Sequence, residues 1–303
     1  MSLSLGIAFY NLDNLFDPFE AEHTLDFDYT PQGKKKWGSY CYNQKLYKIS
    51  KTLSSIHKES KLVFAGLAEI ETAQVCQDLI EQESLQELNL DYVHYKSNDP
   101  RGINNALVYN KDYFELVKSV SHPVFIQAHG ERFFSRDILE VRGKLNNEEI
   151  TILINHWPSH RRRLNRQLRL QAKTVLEKCI RSIENENKYI IIMGDFNDNP
   201  DSEYLEILTK EGYQNTLEPH LNANQGSTKH LRHWLLYDQI FLNNKFYDLR
   251  SSWKFESSRI YNEEFLKDPS GRNKNQPFRT FIGKNYIGGQ SDHFPVLTTI
   301  KKT

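Results

Sequence analysis

A chain of 303 residues with 38% hydrophobic and 26% charged side chains carries enough apolar material for a large core, which excludes an intrinsically disordered protein. Its 39 Lys and Arg balance 39 Asp and Glu, so no global field draws it to nucleic acid or anionic lipid, and any pull on an anion must be local. Cys41, Cys76 and Cys179 are scattered without CxxC spacing, which argues against a structural zinc site and a disulfide framework, and no apolar run approaches the roughly 20 residues that span a bilayer.

The first predicted element is a strand, LGIAFYNL, ending near Asn11. A helix follows in LYKISKTLSSIH, where Leu46, Ile49, Leu53 and Ile56 recur at helical spacing. The strand KLVFAGLAEI then runs to Glu69, and TAQVCQDLIEQESLQEL predicts a second helix through Val75, Leu79 and Leu85. NALVYN and EITILINH read as strands, the latter ending on His156. LNRQLRLQAKTVLEKCIRSI predicts a long helix with Leu164, Leu168, Ala172, Val175, Leu176 and Ile180 on one face. KYIIIMGDFN, LYDQIFL and FPVLTTI complete the strands. Strands outnumber helices, so two packed sheets with helices outside are expected rather than one sheet with a helix in every crossover. No repeat or Pro/Gly/Ser-rich linker divides the chain. MSLSLGIAFYN lacks a basic segment followed by an apolar one. A soluble, cytoplasmic protein is therefore expected, although a secreted or periplasmic one whose leader had been removed would begin the same way.

Where these strands stop forms a pattern. They deliver Asn11, Glu69, His156, Asp195 with Asn197, and Asp238, while GGQSDHFPV places Asp292 and His293 just ahead of the last strand. Strand ends and their loops are where rigid scaffolds hold functional groups. Taken singly, each residue also suits a bland role: Asp and Asn after a strand make turns, Glu69 precedes a helix start at Thr72, and His156 before Trp157 suits a half-buried histidine. Taken together, six such contexts with one ligand chemistry favour a site. The oxygen donors suit magnesium, manganese or calcium rather than a soft metal. Magnesium held by one or two carboxylates shares its shell with a substrate phosphate, so phosphoester hydrolysis is the natural reaction. Imidazolium groups at His156 and His293 would bind the phosphate, and a carboxylate beside either would raise its pKa.

The ordered set YNLDNLF, GLAEIE, NHWPS, GDFND, YDQIF and SDHFPV resembles the endonuclease/exonuclease/phosphatase superfamily from Asn11 to His293, nearly the whole chain. The resemblance implies an α/β fold, a four-layer α/β/β/α sandwich of two packed mixed sheets flanked by helices, as a single domain over residues 1–303. It implies Glu69 as central metal ligand with Asn11 beside it, Asp292 reaching a metal or its water, and Mg²⁺ as cofactor, with Mn²⁺ or Ca²⁺ as alternatives. Asp195 would orient and activate the attacking water and Asn197 would bond a phosphate oxygen. His293 would contact the phosphate with Asp238 as its partner, and His156 matches the second phosphate-binding histidine of the deoxyribonuclease-like branch. Asp99 is the candidate acidic partner of His156, and Arg101 a candidate phosphate contact.

Substrate class is less sharply marked. Asn197 is followed by Asp198 and Asn199, unlike the GDxNxR of the family's inositol phosphatases, and no apolar hairpin suggests stable membrane association. SHRRRLNRQLR carries Arg161, Arg162, Arg163, Arg166 and Arg169 just after His156, and arginine forks suit phosphate, so a nucleic-acid substrate is expected, with Arg161 and Arg162 as contacts. The same run would serve as a solvated helix face. GKKKW and DPSGRNKNQPFRTF add basic loops in which Trp37, Phe278 and Phe281 could stack on bases. The expected protein is a monomeric metal-dependent nuclease; the alternatives are a phosphatase or diesterase for a small or lipid-derived phosphate and a noncatalytic binding module.

Overall fold

The structure, a computed structural model, describes residues 3–20, 24–160, 163–183 and 188–303. Its main elements are, in chain order, β1 (Ser4–Leu15), α1 (Ser39–Ser60), β2 (Leu62–Ile70), α2 (Ala73–Ile80), β3 (Leu90–His94), β4 (Asn104–Asn110), β5 (Phe114–His122), β6 (Ile138–Leu145), β7 (Glu148–His156), α3 (Arg163–Ile183), β8 (Tyr189–Asp195), β9 (Tyr213–Asn215), β10 (Asp238–Asn243), β11 (Trp253–Ile260) and β12 (Val296–Lys302). The strands form two six-stranded sheets, ordered β11-β12-β1-β2-β4-β3 and β9-β10-β8-β7-β6-β5. Both are mixed: β1 with β2 and β7 with β8 run parallel, their other neighbours antiparallel.

Burial explains why the central strands read as near-continuous apolar runs. In β8, Ile191 and Met193 join the core shared with the first sheet, while Ile190 and Ile192 face the second core beneath α3. A strand covered on both faces needs apolar residues at every position rather than at every other one. Helix α3 covers the outer face with Ala172, Leu176 and Ile180, four residues apart, and α1 applies Leu46, Ile49, Leu53 and Ile56 to the first sheet's core. A Cβ on Gly66 would lie 2.5 Å from Met193 Sδ, so glycine there allows the two sheets to approach closely. This is the two-sheet, helix-flanked α/β architecture expected from the strand and helix pattern.

Some elements differ from expectation. The second helix stops at Ile80, and Leu85 lies in a separate 3-10 turn, Glu83–Leu85. Thr72 caps α2 by accepting from Val75 N at 3.2 Å. Strands β3, β5, β6, β9 and β11 were not legible: β3 and β9 are short, and KSVSH, VRGKL and ESSR interrupt the apolar residues of the other three because each has solvent on part of its surface. No helix among the described residues is long and apolar enough to cross a membrane.

Local register brings the polar strand ends together. Asp195 pairs with His156 on β7 and with Asp238 on β10, so three neighbouring strands present them on one line. In the first sheet Asn11 pairs with Ala68, and the register then breaks on both sides of Glu69, whose φ is +63°. A bulge with left-handed backbone re-aims one side chain. Here it turns Glu69 toward the end of the sandwich. Because Met193 is fully buried between the sheets, Met193→Ala is expected to lower the unfolding free energy by about 2–5 kcal/mol, measured by urea denaturation.

Candidate active site

Asp195 is held on both oxygens: Asn11 Nδ2 donates to Oδ2 at 2.9 Å, and the Asn197 backbone N–H donates to Oδ1 at 2.9 Å. His156 Nε2 lies between the sheets, 3.7 Å from Asp195 Oδ2 and 3.8 Å from Glu69 Oε1. Glu69 in turn accepts from Asn14 N at 2.8 Å and faces the Arg101 guanidinium at 3.6 Å. Across β10, His293 Nδ1 lies 2.5 Å from Asp238 Oδ2, with Asp292 Oδ1 3.8 Å from the other ring nitrogen. Asp195, Asp238 and His293 each offer an atom within 4.8 Å of the others. Asn11, Glu69, His156, Asp195, Asp238, Asp292 and His293 therefore meet around one end of the sandwich.

Their electrostatics follow from burial and like charge. Burial, then the neighbouring Asp238, pushes Asp195 up to about 6. His293 is pulled down by burial, but Asp238, through charge and hydrogen bond, and then Asp195 and Asp292, hold it well above the usual imidazole value. His156 moves the other way: burial, then the charges of Arg136, Arg101 and His293, lower it well below that value. The expected pair of imidazoliums is thus one imidazolium, His293, and one neutral imidazole, His156.

Asp99 is not the partner of His156. Its Oδ2 lies 3.2 Å from Arg136 Nη1, and Arg136 Nη2 donates to Trp157 O at 2.8 Å. His156 Nδ1 has no hydrogen-bond partner among the described residues. The buried guanidinium, which SRD at 135–137 gives no means to foresee, captures the carboxylate first. Asp99 Oδ1 also accepts from Arg101 N at 2.8 Å, which fixes the turn that aims Arg101 at Asn14 and Glu69.

Two further residues escaped the sequence reading. Asp13 lies two positions beyond Asn11 in NLDNLF; burial and then the charges of Asp292 and Glu69 raise it to about 7, against the lowering effect of Lys45. Lys45 is 1% exposed, donates from Nζ to Asp13 O at 2.5 Å, and is lowered to about 8 by burial. A lysine on the apolar face of α1, four residues before Ile49, was the available signal. A buried carboxylate that its acidic neighbours raise further marks a place for a cation. The donor set fits a hard divalent ion: Glu69, Asp292 and Asp13 with the Asn11 amide could hold it.

The arginine-rich run is not a single solvated face. Arg161 and Arg162 lie outside the described residues. Arg166 is exposed, whereas Arg169 is 1% exposed. Its Nη1 donates to Pro158 O at 2.8 Å, with Phe196 O at 3.3 Å and Asn197 O at 3.4 Å, and its Nη2 meets the Asp198 carboxylate. Asn197 itself has φ +52° and donates from Nδ2 to Trp157 O at 2.9 Å. Arg169 thus pins the loop that carries Asn197. Nor do Trp37 and Phe281 offer free stacking faces: both are buried, 5.8 Å apart between ring centres, with Tyr29 and Tyr286 against them. Phe278 is half-buried.

Two measurements check this picture. In metal-free protein, an NMR titration should find the His293 ring protonated well above pH 6.5 and shifted downward in Asp238→Asn. Because its folded value is raised, His293 stabilises the fold fully below about pH 6.5, and that contribution disappears as pH rises through the folded value. Arg169→Met leaves three carbonyls without their donor and Asp198 with only His160 beside it, so it should cost about 3 kcal/mol in urea denaturation.

A family model described as Endonuclease/Exonuclease/phosphatase family matches residues 6–302. A search of curated proteins found no match. Among solved structures, an endonuclease/exonuclease/phosphatase family protein from Bacteroides thetaiotaomicron has TM-score 0.62 at 17% identity, covering 100% of this chain and 99% of its own. The mannosyl-6-phosphatase Bt3783 of the same species has TM-score 0.61 at 17% identity and 99% coverage of both chains. D. rerio TDP2 complexed with single strand DNA product has TM-score 0.57 at 14% identity, covering 99% of this chain and 98% of its own. At these identities the structures speak for the fold, and the family match, spanning both sheets and every residue of the site, places the chain in the endonuclease/exonuclease/phosphatase family of phosphoester hydrolases.

Proposed function

We propose that the chain is a divalent-metal-dependent phosphodiesterase acting on nucleic acid. The observation that carries the hydrolytic reading is the convergence of Asp195, Asp238 and His293, all within 4.8 Å, with His156 bridging from Asp195 toward Glu69. A divalent cation, Mg²⁺ by the hardness of its ligands, would supply charge neutralisation at the phosphoryl oxygens. Glu69, Asn11 and Asp292, with Asp13, are the residues to hold it.

The remaining roles follow from protonation and reach. Asp195, poised near 6 and fixed on both oxygens, accepts the proton of the attacking water near neutral pH. His293 keeps its proton and presents Nε2 to a phosphate oxygen, while Asp238 fixes the ring through Nδ1. Asn197 spends one amide hydrogen on Trp157 O and keeps the other for phosphate. Neutral His156, between Glu69 and Asp195, keeps Nε2 for a phosphate oxygen without adding charge. Arg101 beside Glu69 and Arg279, 3.7 Å from Asp292, flank the site with guanidiniums suited to phosphate.

TDP2 in its single-strand DNA complex shares the fold over the full chain, which supports the nucleic-acid reading. Similarity to a mannosyl-6-phosphatase, with TM-score 0.61 against 0.57 for TDP2, supports the second reading, a monoesterase for a small phosphorylated compound. Hydrolysis of bis(p-nitrophenyl) phosphate, p-nitrophenyl phosphate and supercoiled plasmid with Mg²⁺, Mn²⁺, Ca²⁺ or EDTA separates them. Diester and plasmid cleavage that EDTA abolishes is expected, and Asp195→Asn or His293→Ala should lower kcat by roughly 10²–10⁴-fold. Activity on the monoester alone would replace the nuclease reading. Inactivity with every metal would point to a binding module.

A further inference from the structure

The hairpin formed by Thr228–His230 and His233–Leu235 belongs to neither main sheet, yet it is stitched to the His293 loop. Thr228 bridges to His293 and donates from Oγ1 to Asp292 O at 2.8 Å, Phe294 N donates to Ser227 O at 2.7 Å, and Trp234 stacks on Phe294 at 6.1 Å. Its far side, together with the turn at 271–276, lines a cavity of about 540 Å³ whose polar residues are Lys229, Arg232, His233, Arg272, Asn273 and Gln276.

Three fixed cations and an imidazole line this cavity, and no carboxylate does. In a chain with equal numbers of acidic and basic residues, such a grouping is local and uncompensated. Among the described residues none of the ion pairs involves Lys229, Arg232 or Arg272; Lys229 instead sits 5.0 Å over the Trp234 ring. Between the paired strands, Leu231 and Arg232 form a two-residue turn in which Leu231 has φ +55°, a position that usually takes glycine, and is 77% exposed. The strained turn keeps Arg232 at the rim of the cavity.

We propose that this cavity is a second phosphate subsite, which holds a phosphate of the substrate other than the one hydrolysed beside His293. The inference rests on the phosphoesterase reading of the His293 site. A strand supplies that phosphate as another of its phosphodiesters, a small molecule as a second phosphoryl group, and the Thr228–His293 bridge joins the cavity to the reacting centre through one short hairpin.

The test is the double variant R232A/R272A, which removes two exposed guanidiniums outside the reacting centre, with its melting temperature as the folding control. It is assayed against wild type on bis(p-nitrophenyl) phosphate, a single-stranded octadeoxynucleotide and a sugar bisphosphate. Turnover of the one-phosphate diester should stay within about twofold, while kcat/KM on the oligonucleotide should fall roughly tenfold through KM, with a salt dependence shallower by about one unit of log–log slope. A loss on the sugar bisphosphate alone keeps the subsite and assigns it to a small substrate. Equal losses on all three substrates, or no loss on either multiply phosphorylated one, would overturn it. If wild type hydrolyses none of them, the phosphoesterase reading fails separately, and fluorescence anisotropy of the labelled oligonucleotide in EDTA decides the subsite: a weaker Kd in the double variant supports it, an unchanged Kd rejects it.

Discussion

The constraint on which this structure depends is the crowding of negative charge at one end of the sandwich. Asp13, Glu69, Asp195, Asp238 and Asp292 converge there from both sheets and the loops between them. An ionised carboxylate taken out of water costs several kcal/mol unless its lone pairs and charge are met. The protein answers with specific partners: Asn11 and Asn197 N–H for Asp195, Asn14 N–H for Glu69, and His293 for Asp238. Lys45 extends from α1 beneath the cluster as an internal cation. Burial first, and then the like charge that the partners do not neutralise, keeps Asp13 and Asp195 raised. A centre that held these groups apart would be easier to fold and would have no electrostatic reason to attract a cation.

The same economy governs the backbone. Asp13, Asn14, Glu69 and Asn197 all have positive φ, and all lie at the site. Such conformations cost on the order of 1–3 kcal/mol each and persist only where surrounding contacts enforce them. The core beneath supplies that enforcement. Three parallel or antiparallel neighbours hold His156, Asp195 and Asp238 in register, and Arg169 gathers the carbonyls of Pro158, Phe196 and Asn197 from behind. Helix α3 therefore does more than cover the outer sheet: it carries the guanidinium that ties two site-bearing loops together.

The sequence exposed much of this because strands buried on both faces cannot conceal their apolar runs, and polar residues closing such runs stand out. YIIIMGD and ITILINH announced both the strand and the group at its end. What remained hidden depends on long-range pairing. Nothing near Asp99 indicates that Arg136, distant in sequence, will claim it before His156 does. Arg169 looks like its exposed neighbour Arg166 until the carbonyls around it are known. Charged stretches such as VRGKL obscured strands whose surface is partly wet. Asp13 and Lys45 were hidden in plain motifs because their importance is electrostatic, arising from neighbours brought in by the other parts of the chain.

The left-handed backbone at Glu69 bears on how this chain would change under relaxed selection. Glycine adopts that conformation without penalty, and Glu to Gly is a single-base change. Such a step would relieve local strain and thin out the carboxylate crowd, at the cost of the partner that Asn14 N–H and the Arg101 guanidinium now meet. A descendant with glycine there would be the mark of a lineage in which the scaffold outlived its chemistry.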